Sequence, residues 1–288
     1  MATGDSGNYA GGLIEVIAAD AIVAMNKANV CLPLVTVESR DTADQITFSV
    51  WNAGTNTLTS ADVGTHSESD SADISATALD SEKKTLTLDM YSVRVPIHDE
   101  ARLSNADDPD GKIAAVMGNA LAAKIDAMIN ANYDNFSTGV GDGSAAFTVD
   151  NLFEALKSLK NAGAPGPYSG VFYGSQIWGT YGILNDLVTS AQFGGSPSAQ
   201  EEGLSTGYVQ TIAGVGIYDS PEFTEASSAV KGGIFSKAAL GFGYAGAFPK
   251  VERERMAVRL KDDYVGSFFG ATGELIDSYG VEVHTKTS

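Results

Sequence analysis

The glycines of Gly241-Phe242-Gly243-Tyr244-Ala245-Gly246 have the spacing of a dinucleotide-binding fingerprint. That chemistry needs a helix directly after the glycines, so that its first amides face the pyrophosphate. Phe248, Pro249 and a charged run follow instead, so the glycines read as a strand and turn. Asp107-Asp108-Pro109-Asp110-Gly111 clusters carboxylates as a calcium loop does. Aligning Gly111 with the turn glycine of such a loop puts Ala106 at the first ligand position and Met117 where the bidentate Glu belongs. A helix start accounts for these residues better: Asp108 caps, Pro109 takes the first helical position, and Asp110 complements the dipole.

The remaining chemistry-bearing residues are scattered. His66, His98 and His284 are the only histidines and show no paired metal spacing. His98 precedes Asp99 and Glu100, neighbours from which a fold can build an acid–base pair, but a structural or exposed role is expected. Cys31 is the single cysteine, which excludes an intrachain disulfide and a thiolate cluster. Within Val30-Cys31-Leu32-Pro33-Leu34 it reads as a small buried hydrophobe. Asn135-Phe136-Ser137 is a glycosylation sequon by letter only. Glu252-Arg253-Glu254-Arg255, with Arg259 and Lys261, alternates in sign, as a solvated strand face or an intersubunit salt-bridge ladder does. Neither a G-x-S-x-G elbow nor a Walker loop occurs. No catalytic, cofactor-binding or metal-ligating residue is assigned, and an enzyme is not expected.

Charge narrows the partners. The 288 residues carry 36 acidic and 18 basic groups, a net charge of −18. Residues 1–150 hold 22 of the acids and 8 of the bases, and from Asp41 to Glu82 there is no Lys or Arg. Such a surface repels phosphate backbones and anionic membranes. The apolar stretch Leu13–Met25 is too short to span a bilayer and is interrupted by Glu15 and Asp20. With no basic leader, a soluble protein folded in a cytoplasm is expected.

The elements that position these residues follow from periodicity. Residues 1–11 read as a flexible arm, and apolar residues from Leu13 to Met25 recur at helical spacing, ended by Asn29 and Pro33. Ile46, Phe48 and Val50 alternate as a half-buried strand. A returning strand is expected over Thr85–Ile97, with Leu86, Leu88 and Met90 on one face. Residues 51–84 between them are acidic, small and extended. Arms of 15 to 20 residues at ~3.3 Å each reach ~50–65 Å, against a radius of gyration of ~19 Å for a compact chain of this length. Such a limb projects beyond its own subunit and needs a neighbour to lie on.

Pro109–Tyr133 is the clearest helix, ~37 Å long, with Ile113, Val116, Met117, Ala120, Leu121, Ile125, Met128 and Ile129 as its apolar stripe. Gly139–Gly143 reads as a hinge. Thr148 caps a helix that Gly163 and Pro165 stop, Gly170–Tyr173 is a strand, and a further helix is expected from Ser175 to about Val188. Ala191–Thr206 is a small-residue loop. Strands follow at Val209–Ile212, Val215–Tyr218, Gly233–Ser236, Ala239–Tyr244, Val251–Lys261 and Ile276–His284. The fold class is α+β, with segregated helices and strands.

This order resembles the major capsid protein of tailed bacteriophages, the Hong Kong 97-type fold. Glu68–Ala101 (ESDSADISATALDSEKKTLTLDMYSVRVPIHDEA) is similar to that family's returning loop strand. Pro109–Tyr133 occupies its spine-helix position, Gly203–Ser220 (GLSTGYVQTIAGVGIYDS) resembles its axial-domain strands, and Val251–Gly273 its closing strands. The resemblance implies an N-terminal arm over 1–37, an extended loop hairpin over 38–97, a peripheral domain with the spine helix over 98–144, an axial domain over 145–246 and closing peripheral strands over 247–288. It implies a shell subunit forming hexamers and pentamers around packaged DNA that is enclosed but not specifically bound, located in the virion and assembled in the host cytoplasm. Scaffolding, portal and decoration proteins are the further partners implied. Some relatives weld subunits through a Lys–Asn isopeptide bond; Lys83 and Lys84 are candidate donors, but no asparagine follows Asn185, so a non-covalent shell is expected. The alternatives are an encapsulin-type compartment protein and an acidic surface protein or hydrolase.

Overall fold

The computed structural model describes residues 20–25, 28–51, 81–104, 109–184 and 208–288. Its first layer is a four-stranded sheet. Strands β1 (Thr36–Arg40), β4 (Asp89–His98), β10 (Leu240–Met256) and β11 (Lys261–Glu274) lie in the order β1-β10-β11-β4. β10 and β11 form one long antiparallel hairpin, from Leu240 opposite Glu274 to Met256 opposite Lys261. The register shifts between Ala245 and Lys250, and Pro249 falls inside that irregularity, where its missing N–H costs the ladder nothing. The two strands expected at Ala239–Tyr244 and Val251–Lys261 are therefore one strand carrying a bulge.

On this sheet lies the longest described helix. Short helix α1 (Asp99–Ser104) leads towards α2 (Pro109–Asn130). α2 buries Ala114, Met117, Leu121, Ala122, Ile125 and Ile129, which cluster with Tyr264 and Phe268 of β11. Val116 and Ala120, expected in the apolar stripe, are exposed, and Ala122 is buried instead. Gly118 lets residues 20–25 cross close by: a Cβ there would lie 2.4 Å from the Ala21 carbonyl oxygen.

The second sheet has six strands. Strands β5 (Gly139–Val140), β6 (Tyr168–Phe172), β7 (Tyr208–Ile212), β8 (Val215–Asp219), β9 (Ala229–Ser236) and β12 (Gly280–Lys286) take the order β5-β12-β9-β6-β8-β7. Helix α3 (Val149–Asn161) closes its core, with Leu152, Leu156 and Leu159 packed among Phe147, Phe172, Val281 and Val283. As expected, Thr148 caps α3, its side-chain oxygen accepting from the Asn151 N–H at 3.3 Å. The helix expected from Ser175 to about Val188 is interrupted: α4 spans Gly174–Ile177, and helix appears again at Ile183 and Leu184. Trp178 turns extended and Gly179 takes φ +82°, which ends the helix at once. Buried Gln176 ties α4 to the sheet, donating to Val230 O at 3.1 Å and Thr285 Oγ1 at 2.7 Å.

Two strands differ from expectation. The resemblance implies closing strands of one domain over 247–288, but β12 pairs with β9 and β5 in the six-stranded sheet, while β11 stays in the other. Alternation says that one face of β12 is buried, not which sheet buries it. The single returning strand over Thr85–Ile97 is two strands. β3 (Ser81–Thr87) pairs with β2 (Gln45–Trp51) as a separate antiparallel pair, and β4 pairs with β11. At the break, buried Leu88 donates its N–H to Asp44 O at 3.0 Å. The inward parity changes there: Leu86 and Leu88 face one core, Tyr91, Val93, Val95 and Ile97 another, and Met90 is exposed. The acidic stretch 52–80, the Asp108 cap, residues 1–11 and the loop 191–206 lie outside the described residues.

Candidate assembly site

No catalytic constellation forms among the described residues. His98 is exposed at the end of β4 and His284 belongs to β12 in the other sheet; His66 lies outside the described residues. No group of acids, cysteine and histidines able to hold a metal occurs among the described residues, and no described helix is long and apolar enough to cross a membrane.

Gly241 and Gly243 serve packing instead of phosphate binding. Both lie in β10, which continues as a strand. A Cβ on Gly241 would lie 3.1 Å from Phe48 Cζ, and one on Gly243 3.1 Å from Ile46 Cδ1. On β11, a Cβ on Gly273 would come within 2.4 Å of Leu86. The bare backbone of the main hairpin thus seats the base of the β2–β3 hairpin. Ile46, Phe48, Val50 and Leu88 are buried there against Ala245 and Leu275. Lys83 and Lys84 lie on β3, where Lys84 pairs with Glu82 at 2.7 Å.

The N-terminal segment is latched by a buried polar node that the sequence did not announce. Asp126 Oδ2 accepts from the Val30 N–H at 3.0 Å and Oδ1 from the Cys31 N–H at 2.9 Å. Cys31 Sγ donates to Asn130 Oδ1 at 3.2 Å. Asn130 Nδ2 in turn donates to Glu222 O at 2.8 Å and Ser220 Oγ at 3.2 Å. One turn of α2 therefore joins the chain entering β1 to the chain leaving β8. Burial pushes the Asp126 carboxyl up, although the two amides pull it back in part. Burial likewise raises the Cys31 thiol well above its ordinary range, with Asp126 adding to it. Cys31 is buried as expected. The available signal was polar Asp126 and Asn130, four apart and each beside an apolar stripe residue.

Most of the alternating charges form ion pairs within one chain. Asp262 and Asp263 are 0% and 1% exposed. Arg253 reaches Asp262 at 2.8 Å, Arg255 reaches Asp99 at 2.6 Å, and Lys261 reaches Asp263 at 3.0 Å. Arg94 also pairs with Asp263. Burial opposes ionisation of Asp263, but the Arg94 and Lys261 hydrogen bonds outweigh it and hold the carboxyl below its ordinary range. Arg259 has no ion pair among the described residues.

No protein-family model and no curated protein matches the sequence. Solved structures do match. A capsid structure of the cyanophage P-SCSP1u superposes with a TM-score of 0.65 at 18% identity, over 91% of this chain and 89% of that one. The head structure of Helicobacter pylori bacteriophage KHP40 gives 0.65 at 8% identity, over 91% of each chain. This is the tailed-phage capsid fold. A virus-like particle from Pyrococcus furiosus also matches, with a TM-score of 0.56 at 10% identity, over 93% of this chain and 98% of that one. As the Hong Kong 97-type capsid fold, the chain combines a helix-backed four-stranded sheet, a six-stranded sheet and a rooted hairpin.

Proposed function

We propose that this chain is the major capsid protein of a tailed phage, assembling as hexamers and pentamers into an icosahedral shell around DNA. The observation that carries the proposal is the capsid fold over about nine-tenths of the chain. In this reading residues 1–37 are the arm, 38–97 the extended loop, the four-stranded sheet with α2 the peripheral domain, and the six-stranded sheet with β12 the axial domain. The β2–β3 base anchors the loop to its owner, and the acidic stretch beyond it grips the adjacent copy.

The shell is held without covalent welds, because the lysines of β3 have no asparagine after Asn185 to react with. Wherever the acidic surface faces inward, it limits sticking of the enclosed DNA. The chain is a virion component assembled in the host cytoplasm, acts mechanically and not as an enzyme, and has separate scaffolding, portal and decoration proteins as partners. Electron microscopy of the purified protein tests this. Closed particles, or rings with sixfold and fivefold symmetry, are expected; particles of neither symmetry overturn it.

A second reading, an encapsulin-type compartment, draws on the match to the Pyrococcus furiosus virus-like particle. Portal, terminase and tail genes beside this one favour the phage shell. An adjacent peroxidase or ferritin-like gene favours the compartment.

A further inference from the structure

The far end of the β10–β11 hairpin is an exposed apolar knob. Residues 257–260 turn the chain, and the described structure leaves Val258 100% and Leu260 63% exposed. Leu260 holds φ +46°, a left-handed conformation that a branched side chain adopts at a cost. The turn is nevertheless fixed: the Leu260 carbonyl accepts from the Asp99 N–H at 2.9 Å, and Arg255 clamps Asp99. Beside the two apolar groups stands Arg259, which has no ion pair among the described residues.

The other end of the same sheet holds a complementary hollow. An open, shallow hollow of about 330 Å³ lies where β10 bulges between Ala245 and Lys250. Its floor includes Ala245, Phe268 and Phe269, and exposed Met90 forms part of the wall. Asp41 and Asp44 stand at its rim and have no ion pair among the described residues, while Lys250 is paired with Glu252 at 2.7 Å. The hollow is therefore apolar inside and acidic at the mouth, and the knob is apolar with one cation, Arg259, that has no ion pair among the described residues.

The knob cannot enter its own hollow. Lys250 and Met256 are six residues apart in one paired strand, so the sheet holds the two features roughly 20 Å apart. A feature at one end of a rigid sheet that complements the opposite end fits head to tail between copies, the geometry that closes rings. We propose that the Val258–Leu260 knob of each subunit docks into the bulge hollow of a neighbouring copy, with Arg259 meeting Asp41 and Asp44. This rests on the shell reading and names one of its contacts.

Disulfide trapping tests it on the full chain, since the only native cysteine, Cys31, is buried. Val258 and Ala247 are both exposed, so Val258→Cys with Ala247→Cys alters no packed residue. Oxidised particles of the double variant are expected to give a ladder of covalent oligomers on a denaturing gel, and each single variant to stay monomeric. Particles that assemble without the ladder overturn the docking while leaving the shell reading intact. Dimers from Val258→Cys alone overturn it too, because knob would then meet knob. A chain that never assembles removes both. Independently, Arg259→Glu is expected to raise the concentration needed for assembly roughly tenfold, and Asp41→Lys with Asp44→Lys in the same chain to restore it. Unchanged assembly of Arg259→Glu contradicts the contact.

Discussion

The carboxylate of Asp126, on the long helix, caps the backbone N–H of Cys31 at 2.9 Å and that of Val30 at 3.0 Å. The Cys31 amide is buried and the Val30 amide part-buried, so removing their acceptor leaves donors to be satisfied. Asp126→Ala is therefore expected to destabilise the subunit by about 2–4 kcal/mol, measured by urea unfolding. Asp126→Asn, which keeps one acceptor oxygen, is expected to lose less. Equal losses would mean that the amides do not depend on the carboxylate.

The seat of the β2–β3 hairpin makes a steric prediction. Gly243→Val places methyl groups where Ile46 already lies, its Cδ1 being 3.1 Å from an ideal Cβ. Overpacking of this kind costs about 1–3 kcal/mol. Trimming the partner in Gly243→Val/Ile46→Ala is expected to recover much of the loss in thermal melts. No recovery would show that the glycine is not there to admit Ile46.

The parts of the fold differ in how visible they are in the residues. Thr148 and Pro109 act within one turn of chain, so cap and helix start could be read locally. The split at Leu88 depends on partners far away in sequence, β2 on one side of it and β11 on the other. The switch of buried parity from Leu86 and Leu88 to Tyr91, Val93, Val95 and Ile97 was nevertheless written there. The interruption after α4 comes with Gly179 adopting a left-handed conformation, which an apolar pattern does not encode. Asp126 and Asn130 stayed hidden because a polar residue flanking an apolar stripe normally faces water.

Acid stability should report on Asp263. Its folded carboxyl titrates below the unfolded value of about 3.9. Its stabilisation is thus present above that value and lost as pH falls through the lower folded one. Asp263→Asn is expected to flatten the acid side of the stability profile below about pH 4. A profile as steep as that of the parent would assign the acid lability to other carboxylates.

The cap of α3 offers a smaller, local test. Thr148→Ala removes the acceptor for the Asn151 N–H and is expected to cost about 1 kcal/mol, with Thr148→Ser close to neutral. Thermal denaturation of the two variants side by side measures it.

Sedimentation velocity of the purified chain over a concentration and salt series asks most directly whether this molecule builds a shell. The account predicts that, as concentration rises, a 29.9 kDa boundary gives way to a far larger and discrete assembled species. A single subunit-sized boundary at every concentration and ionic strength would contradict it.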